Sequence, residues 1–201
     1  MRKQLTLFLA VFLLLLSGCA EIPSAASPAL PQVSTKSVVL TAPPKLTVSY
    51  NDTSIEALKG GFSWTIFHGD GTAVSTEADS AHPLQCRDIT PVLSLKPSPL
   101  SHVDPFAAYL TFETAPDTVR ARCWSTECWG KDDAESEDVS AEVMDSADGL
   151  GDTAWVLHLT DEDAIYEVTA EWDTPEQYHG KGTYIFCTKA VTLEPHPIEE
   201  S

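Results

Sequence analysis

The 201 residues carry 30 acidic side chains against 12 lysines and arginines, a formal charge of −18. That balance excludes nucleic acid, whose phosphates require a basic footprint, and excludes docking onto anionic headgroups by charge. It suits a soluble surface, a cation or a basic partner.

The first residues place Arg2 and Lys3 before an apolar run from Leu5 to Leu16, the order of an export signal. The run is too short for a spanning helix, which needs roughly 20 apolar residues. It ends at Leu16-Ser17-Gly18-Cys19, small residues before a cysteine. Residues 1–19 thus resemble a bacterial lipoprotein signal with its lipobox. The resemblance implies that Cys19 becomes the diacylated, palmitate-bearing N-terminus and anchors the protein at the extracytoplasmic face of a cell membrane, since two acyl chains hold where one does not. Removing Arg2 and Lys3 leaves ten cations and all 30 acids, so the mature chain stands at −20.

Residues 20–44 are rich in Ala, Ser, Pro and Thr and bury too little apolar surface to offset ordering entropy, which predicts a disordered tether. A single domain is expected over 45–193, with a flexible acidic tail at 194–201. Within that domain apolar residues alternate: Leu46-Thr47-Val48-Ser49-Tyr50, Phe62-Ser63-Trp64-Thr65-Ile66-Phe67, then Tyr109–Phe112 and Val119–Trp124 on either side of a Pro116-Asp117 turn. The latter pair reads as a hairpin, and further on Ala154–Leu159, Ile165–Trp172 and Tyr184–Cys187 read as strands of two more hairpins in succession, with Gly180 to Gly182 in the last loop. About eight strands with regular turn signals and no helical period predict an all-β antiparallel sandwich. The stretch 138–145 is too polar to assign.

Tyr166-x-Val168-x-Ala170-x-Trp172 followed by Tyr184-x-Phe186 resembles the last hairpin of immunoglobulin-like and fibronectin-III-like domains. There a tyrosine near the start of the penultimate strand bonds back to the backbone. The cysteine–tryptophan–cysteine order of antibody domains is not reproduced. A second set, Gly61-Phe62-Ser63-Trp64, Ala81-His82-Pro83-Leu84, Arg122-Cys123-Trp124 with Trp129-Gly130, and Ile165-Tyr166-Glu167-Val168 through Trp172, resembles the C-terminal extracytoplasmic segments of β-lactam-sensor-type membrane metallopeptidases and related lipoproteins. That resemblance implies a sensory or accessory module. The peptidase motif H-E-x-x-H is absent.

Four cysteines remain beyond the lipobox: Cys86, Cys123, Cys128 and Cys187. An even number in an exported chain suggests two disulfides, with three connectivities open. His82 and Cys86 with Cys123 and Cys128 have spacings that a tetrahedral zinc site could use, and burial as free thiols is the third reading. Neither G-x-S-x-G nor S-x-x-K occurs, so no catalytic residue is assigned, and the six histidines are scattered as surface residues. Cys123 or Cys128 with a histidine could form a thiol nucleophile, and paired carboxylates could serve an exported hydrolase.

Nine carboxylates lie between Asp132 and Asp152, and Asp145-Ser146-Ala147-Asp148-Gly149-Leu150-Gly151-Asp152 offers a weak calcium pattern through Asp145, Asp148 and Asp152. Asp161-Glu162-Asp163 is a second acidic turn. Of five tryptophans, Trp64, Trp155 and Trp172 fall at core positions of strands, whereas Trp124 and Trp129 are candidates for an exposed patch that meets a protein or glycan ligand. The expected function is a membrane-anchored, immunoglobulin-like binding or accessory module without a cofactor. An exported hydrolase or inhibitor and a calcium-stabilised structural module are the alternatives.

Overall fold

The computed structural model describes residues 39–96, 106–144 and 154–191. Cys19, most of the tether, the acidic tail and the calcium candidates Asp145, Asp148 and Asp152 lie outside them. The described residues form twelve strands: β1 (Leu46–Tyr50), β2 (Thr53–Glu56), β3 (Leu58–Phe67), β4 (Ala73–Ala78), β5 (Val92–Leu95), β6 (Ala107–Phe112), β7 (Thr118–Ser125), β8 (Glu137–Val139), β9 (Ala141–Met144), β10 (Ala154–His158), β11 (Ala164–Thr174) and β12 (Tyr178–Ala190). Single 3-10 turns sit at Pro83–Gln85 and Thr126–Cys128.

Two sheets result. One has five strands in the order β2-β1-β6-β10-β9, and the other runs β4-β3-β12-β11-β7-β8 with β5 added parallel to β12. The remaining pairings are antiparallel. Strand alternation decides what lies between the sheets, because a period of two sends every second side chain to one face. Leu46, Val48 and Tyr50 of β1 meet Val119, Ala121 and Cys123 of β7 and Tyr166, Val168, Ala170 and Trp172 of β11 in one buried cluster. Trp64 stacks on Tyr178 with ring centroids 5.5 Å apart, and Phe112 packs edge-on against Trp172 at 5.7 Å. The indole nitrogens of Trp64, Trp124 and Trp172 each donate to a backbone carbonyl, while that of Trp155 is buried without an acceptor among the described residues.

The pairing departs from the sequence reading at three places. The strands around Pro116-Asp117 do not form a hairpin: β6 belongs to the five-stranded sheet and β7 to the seven-stranded one. The turn instead docks on β11, where Asp117 N–H donates to Glu171 O and Asp117 Oδ2 accepts from Asp173 N–H. Likewise β10 and β11 lie in different sheets. The β11–β12 hairpin turns at residues 175–177, with Glu176 at φ 64°, and Gly180 and Gly182 are interior to β12. Glycine is required at 180 because the Trp64 ring occupies the space a Cβ would fill.

The folded part also begins earlier than composition indicates. Pro43 and Pro44 are buried, Leu40 O accepts from Trp64 Nε1 at 2.8 Å, and Pro44 O accepts from Tyr184 Oη at 2.6 Å.

Candidate functional site

A second, smaller apolar cluster lies on the face of the seven-stranded sheet turned away from the five-stranded one. Trp124, Ile165, Ile185 and Cys187 supply the sheet side, and Leu84, Cys86, Cys128, Trp129 and Ala134 cover it. The two covering segments are tied together: Gly130 N–H donates to Leu84 O at 2.8 Å, and Gln85 bonds to Asp132. His82 caps the first 3-10 turn by accepting from Leu84 N–H at 3.3 Å, and its ring meets that of Trp124 edge-on at 5.7 Å.

This arrangement separates the cysteines. Cys123 points between the sheets, while Cys86, Cys128 and Cys187 belong to the outer cluster. All four are free thiols. Cys86 Sγ donates to His82 O at 3.5 Å and Cys187 Sγ to Pro91 O at 3.5 Å. Burial pushes the thiols of Cys86, Cys123 and Cys187 up from their ordinary range, reinforced at Cys123 by Glu137 and at Cys187 by Asp163. A raised thiol is a poor nucleophile at neutral pH. The four residues of the zinc reading do not form a ligand set: among the described residues no three His, Cys, Asp or Glu side chains gather as metal ligands.

The tryptophan patch is corrected. Trp124 is 3 % exposed, with the Arg122 guanidinium 4.8 Å above its ring and its Nε1 donating to Ala134 O at 3.1 Å. Trp129 is half-buried in the same cluster. Trp124 faces the covering segments, and Trp129 is itself part of one of them and only partly exposed. Trp64, Trp155 and Trp172 are buried, as their strand positions indicate.

Three surface features remain. The first is a cleft of about 390 Å³ at the end of the sandwich, where the β10–β11 loop meets the end of β7. Glu135 and Glu137 from one acidic run and Asp161, Glu162 and Asp163 from the other line it, together with Cys123 and Cys128. These two runs are far apart in sequence. The loop is fixed from within: Tyr166 Oη accepts from Thr160 N–H at 2.8 Å, Asp163 O accepts from Thr126 N–H at 3.3 Å, and Asp163 Oδ1 accepts from Ala190 N–H at 2.7 Å. Among the described residues no histidine, lysine or arginine lines the cleft.

The second feature is the polar outer face of β7, β11 and β12. Arg122 pairs with Glu167 at 2.6 Å, Lys181 with Glu171 at 3.6 Å, and His179 with Asp173 at 3.7 Å. Two shallow grooves share Glu167, Lys181 and Thr183 on this face. The signal for it in the sequence is the alternation of Arg120 and Arg122 with Val119, Ala121 and Cys123, and of Glu167, Thr169 and Glu171 with Tyr166, Val168, Ala170 and Trp172.

The third is the β3–β4 hairpin, which forms one border of the seven-stranded sheet. Ala73 through Glu77 are all exposed, and Thr65 and Ser75 hydroxyls pair at 2.9 Å across the hairpin. Comparison with protein-family models, with curated proteins and with solved structures finds no match for this chain.

Proposed function

We propose that this protein is an envelope lipoprotein, anchored through Cys19, whose immunoglobulin-like sandwich acts as a binding or accessory sensory module at the membrane surface. The observation that carries the domain reading is the strand order. With β1, β6, β7, β8, β9, β10, β11 and β12 lettered A, B, C, C′, D, E, F and G, one sheet runs A-B-E-D and the other G-F-C-C′, the order of immunoglobulin-like sandwiches. The Tyr166–Thr160 bond sits at the E–F corner, where a tyrosine of such domains bonds back to the backbone. Strands β2 to β5 are then an insertion between A and B. The anchor reading is supported by Arg2 and Lys3, the apolar run and Leu16-Ser17-Gly18-Cys19.

Metabolic labelling with an alkyne fatty acid, followed by membrane fractionation, tests the anchor. The wild-type chain takes up label and sediments with membranes, and Cys19→Ala does neither. Label uptake by Cys19→Ala at the wild-type level would refute it. Photo-crosslinking in the native membrane tests the binding role, and recovery of the protein without any crosslinked partner would refute that part.

A further inference from the structure

Among the described residues five strands pair on one side only, β5 among them, and they are not equivalent. Strand β8 has three residues, two of them the carboxylates Glu137 and Asp138. Strands β2, β5 and β9 have four residues each, and Glu56 of β2 is held by Lys45 at 2.9 Å. Short or charged edges of this kind resist pairing with a further strand. Strand β4 differs: Ala73-Val74-Ser75-Thr76-Glu77-Ala78 is six residues long with a single charge.

The β3–β4 register divides the side chains of this edge by face. Val74 and Thr76 lie on the side of Ile66 and Trp64, while Ser75 and Glu77 lie on the opposite side with Thr65 and Ser63. Val74 is 53 % exposed, so an apolar side chain of an added strand would cover it. On the other side Glu77 and Asp79 flank a groove of about 470 Å³. Among the described residues neither carboxylate has a cation, whereas Glu167 and Glu171 nearby are already matched by Arg122 and Lys181. A second copy of the chain is a poor occupant, because residues 70–80 bring two further carboxylates and Asp70 with no lysine or arginine.

We propose that β4 is the docking edge of the binding module, and that its partner is an extended protein segment alternating apolar side chains with lysine or arginine, added as a further strand. Backbone hydrogen bonds supply the attachment, and the alternation supplies selectivity. The apolar side chains cover Val74 and the cations meet Glu77 and Asp79. This deepens the binding-module reading and rests on it.

The test uses the full-length protein in detergent micelles, a fluorescein-labelled peptide of alternating valine and lysine, and its valine–glutamate counterpart. Anisotropy is expected to rise with the lysine peptide alone, and hydrogen exchange at Ala73–Ala78 is expected to slow on binding. Glu77→Lys with Asp79→Lys should weaken binding by about tenfold or more, while Asp161→Lys with Glu162→Lys at the acidic cleft should change it by less than about twofold. Absence of binding overturns the proposal. So does a loss confined to the cleft variant, or binding without slowed exchange in β4, which is general attraction to an acidic protein. A membrane crosslink that maps to another surface sinks this proposal and leaves the binding role standing. Failure to recover any crosslinked partner sinks both.

Discussion

Tyr166 Oη accepts the Thr160 amide hydrogen at 2.8 Å and lies 3.1 Å from Thr160 Oγ1, closing the corner between two strands that belong to different sheets. The tyrosine is fully buried, stacked on Phe186 with centroids 5.0 Å apart, so the bond ties the β10–β11 loop to the centre of the sandwich. Tyr166→Phe keeps the ring and leaves the Thr160 amide without its acceptor. A loss of about 1–2 kcal/mol is expected, measured by urea denaturation at unchanged slope. Wild-type stability in this variant would show that water replaces the phenol.

Gly180 faces the flat of Trp64, whose ring atoms occupy the position of an added Cβ. Gly180→Ala must displace an indole that is also stacked on Tyr178 and bonded to Leu40 O. Overpacking of this kind costs about 1–3 kcal/mol. The upper end is expected here, with a visible change in the near-ultraviolet circular dichroism of the tryptophans. Gly69, with open space around it, serves as the control, and Gly69→Ala should leave the spectrum unchanged.

The thiols should react in a set order. Cys86, Cys123 and Cys187 are buried and their thiols are pushed up, while Cys128 is half-buried. Under native conditions a maleimide is expected to modify Cys128 first, and all four only after denaturation. Intact mass measured over time distinguishes the cases. Protection of Cys128 through denaturation would mean that it is bridged.

Tyr184 donates to Pro44 O at 2.6 Å, and burial, with Glu113 nearby, pushes its phenol well above the usual tyrosine range. The unfolded chain therefore loses this proton first as pH rises, while the folded chain keeps it. The contribution is intact below about pH 10, the ordinary tyrosine value, and is lost progressively above it. Denaturation midpoints measured between pH 9 and 12 should fall for the wild type, and Tyr184→Phe should show a shallower fall. Parallel curves would remove Tyr184 from the explanation.

Alternation along single segments was enough to read an all-β chain and to name most of its core. Leu46, Val48, Trp64, Val168, Ala170 and Trp172 are buried where a period of two puts them. The tyrosine of the Tyr-x-Val-x-Ala pattern makes its return bond to Thr160. These properties are local, set by the pleat of one strand. Sheet membership is another matter: β1 pairs with β6 and β3 with β12 across gaps of about 60 and 120 residues, beyond the reach of a local pattern. Hence the turn at Pro116-Asp117 looked like a hairpin and is a crossing between sheets. Trp124 illustrates the same division. Its position in β7 correctly sends it out of the main core, and only the tertiary structure lays residues 82–86 and 128–134 over it. The two acidic runs, separate in the sequence, become one cleft because β7 and β11 are neighbours and bring Glu135, Glu137 and Asp161–Asp163 to the same end of the sandwich. A strand's own residues dictate which side is buried, and the long-range pairing of strands dictates what that side meets.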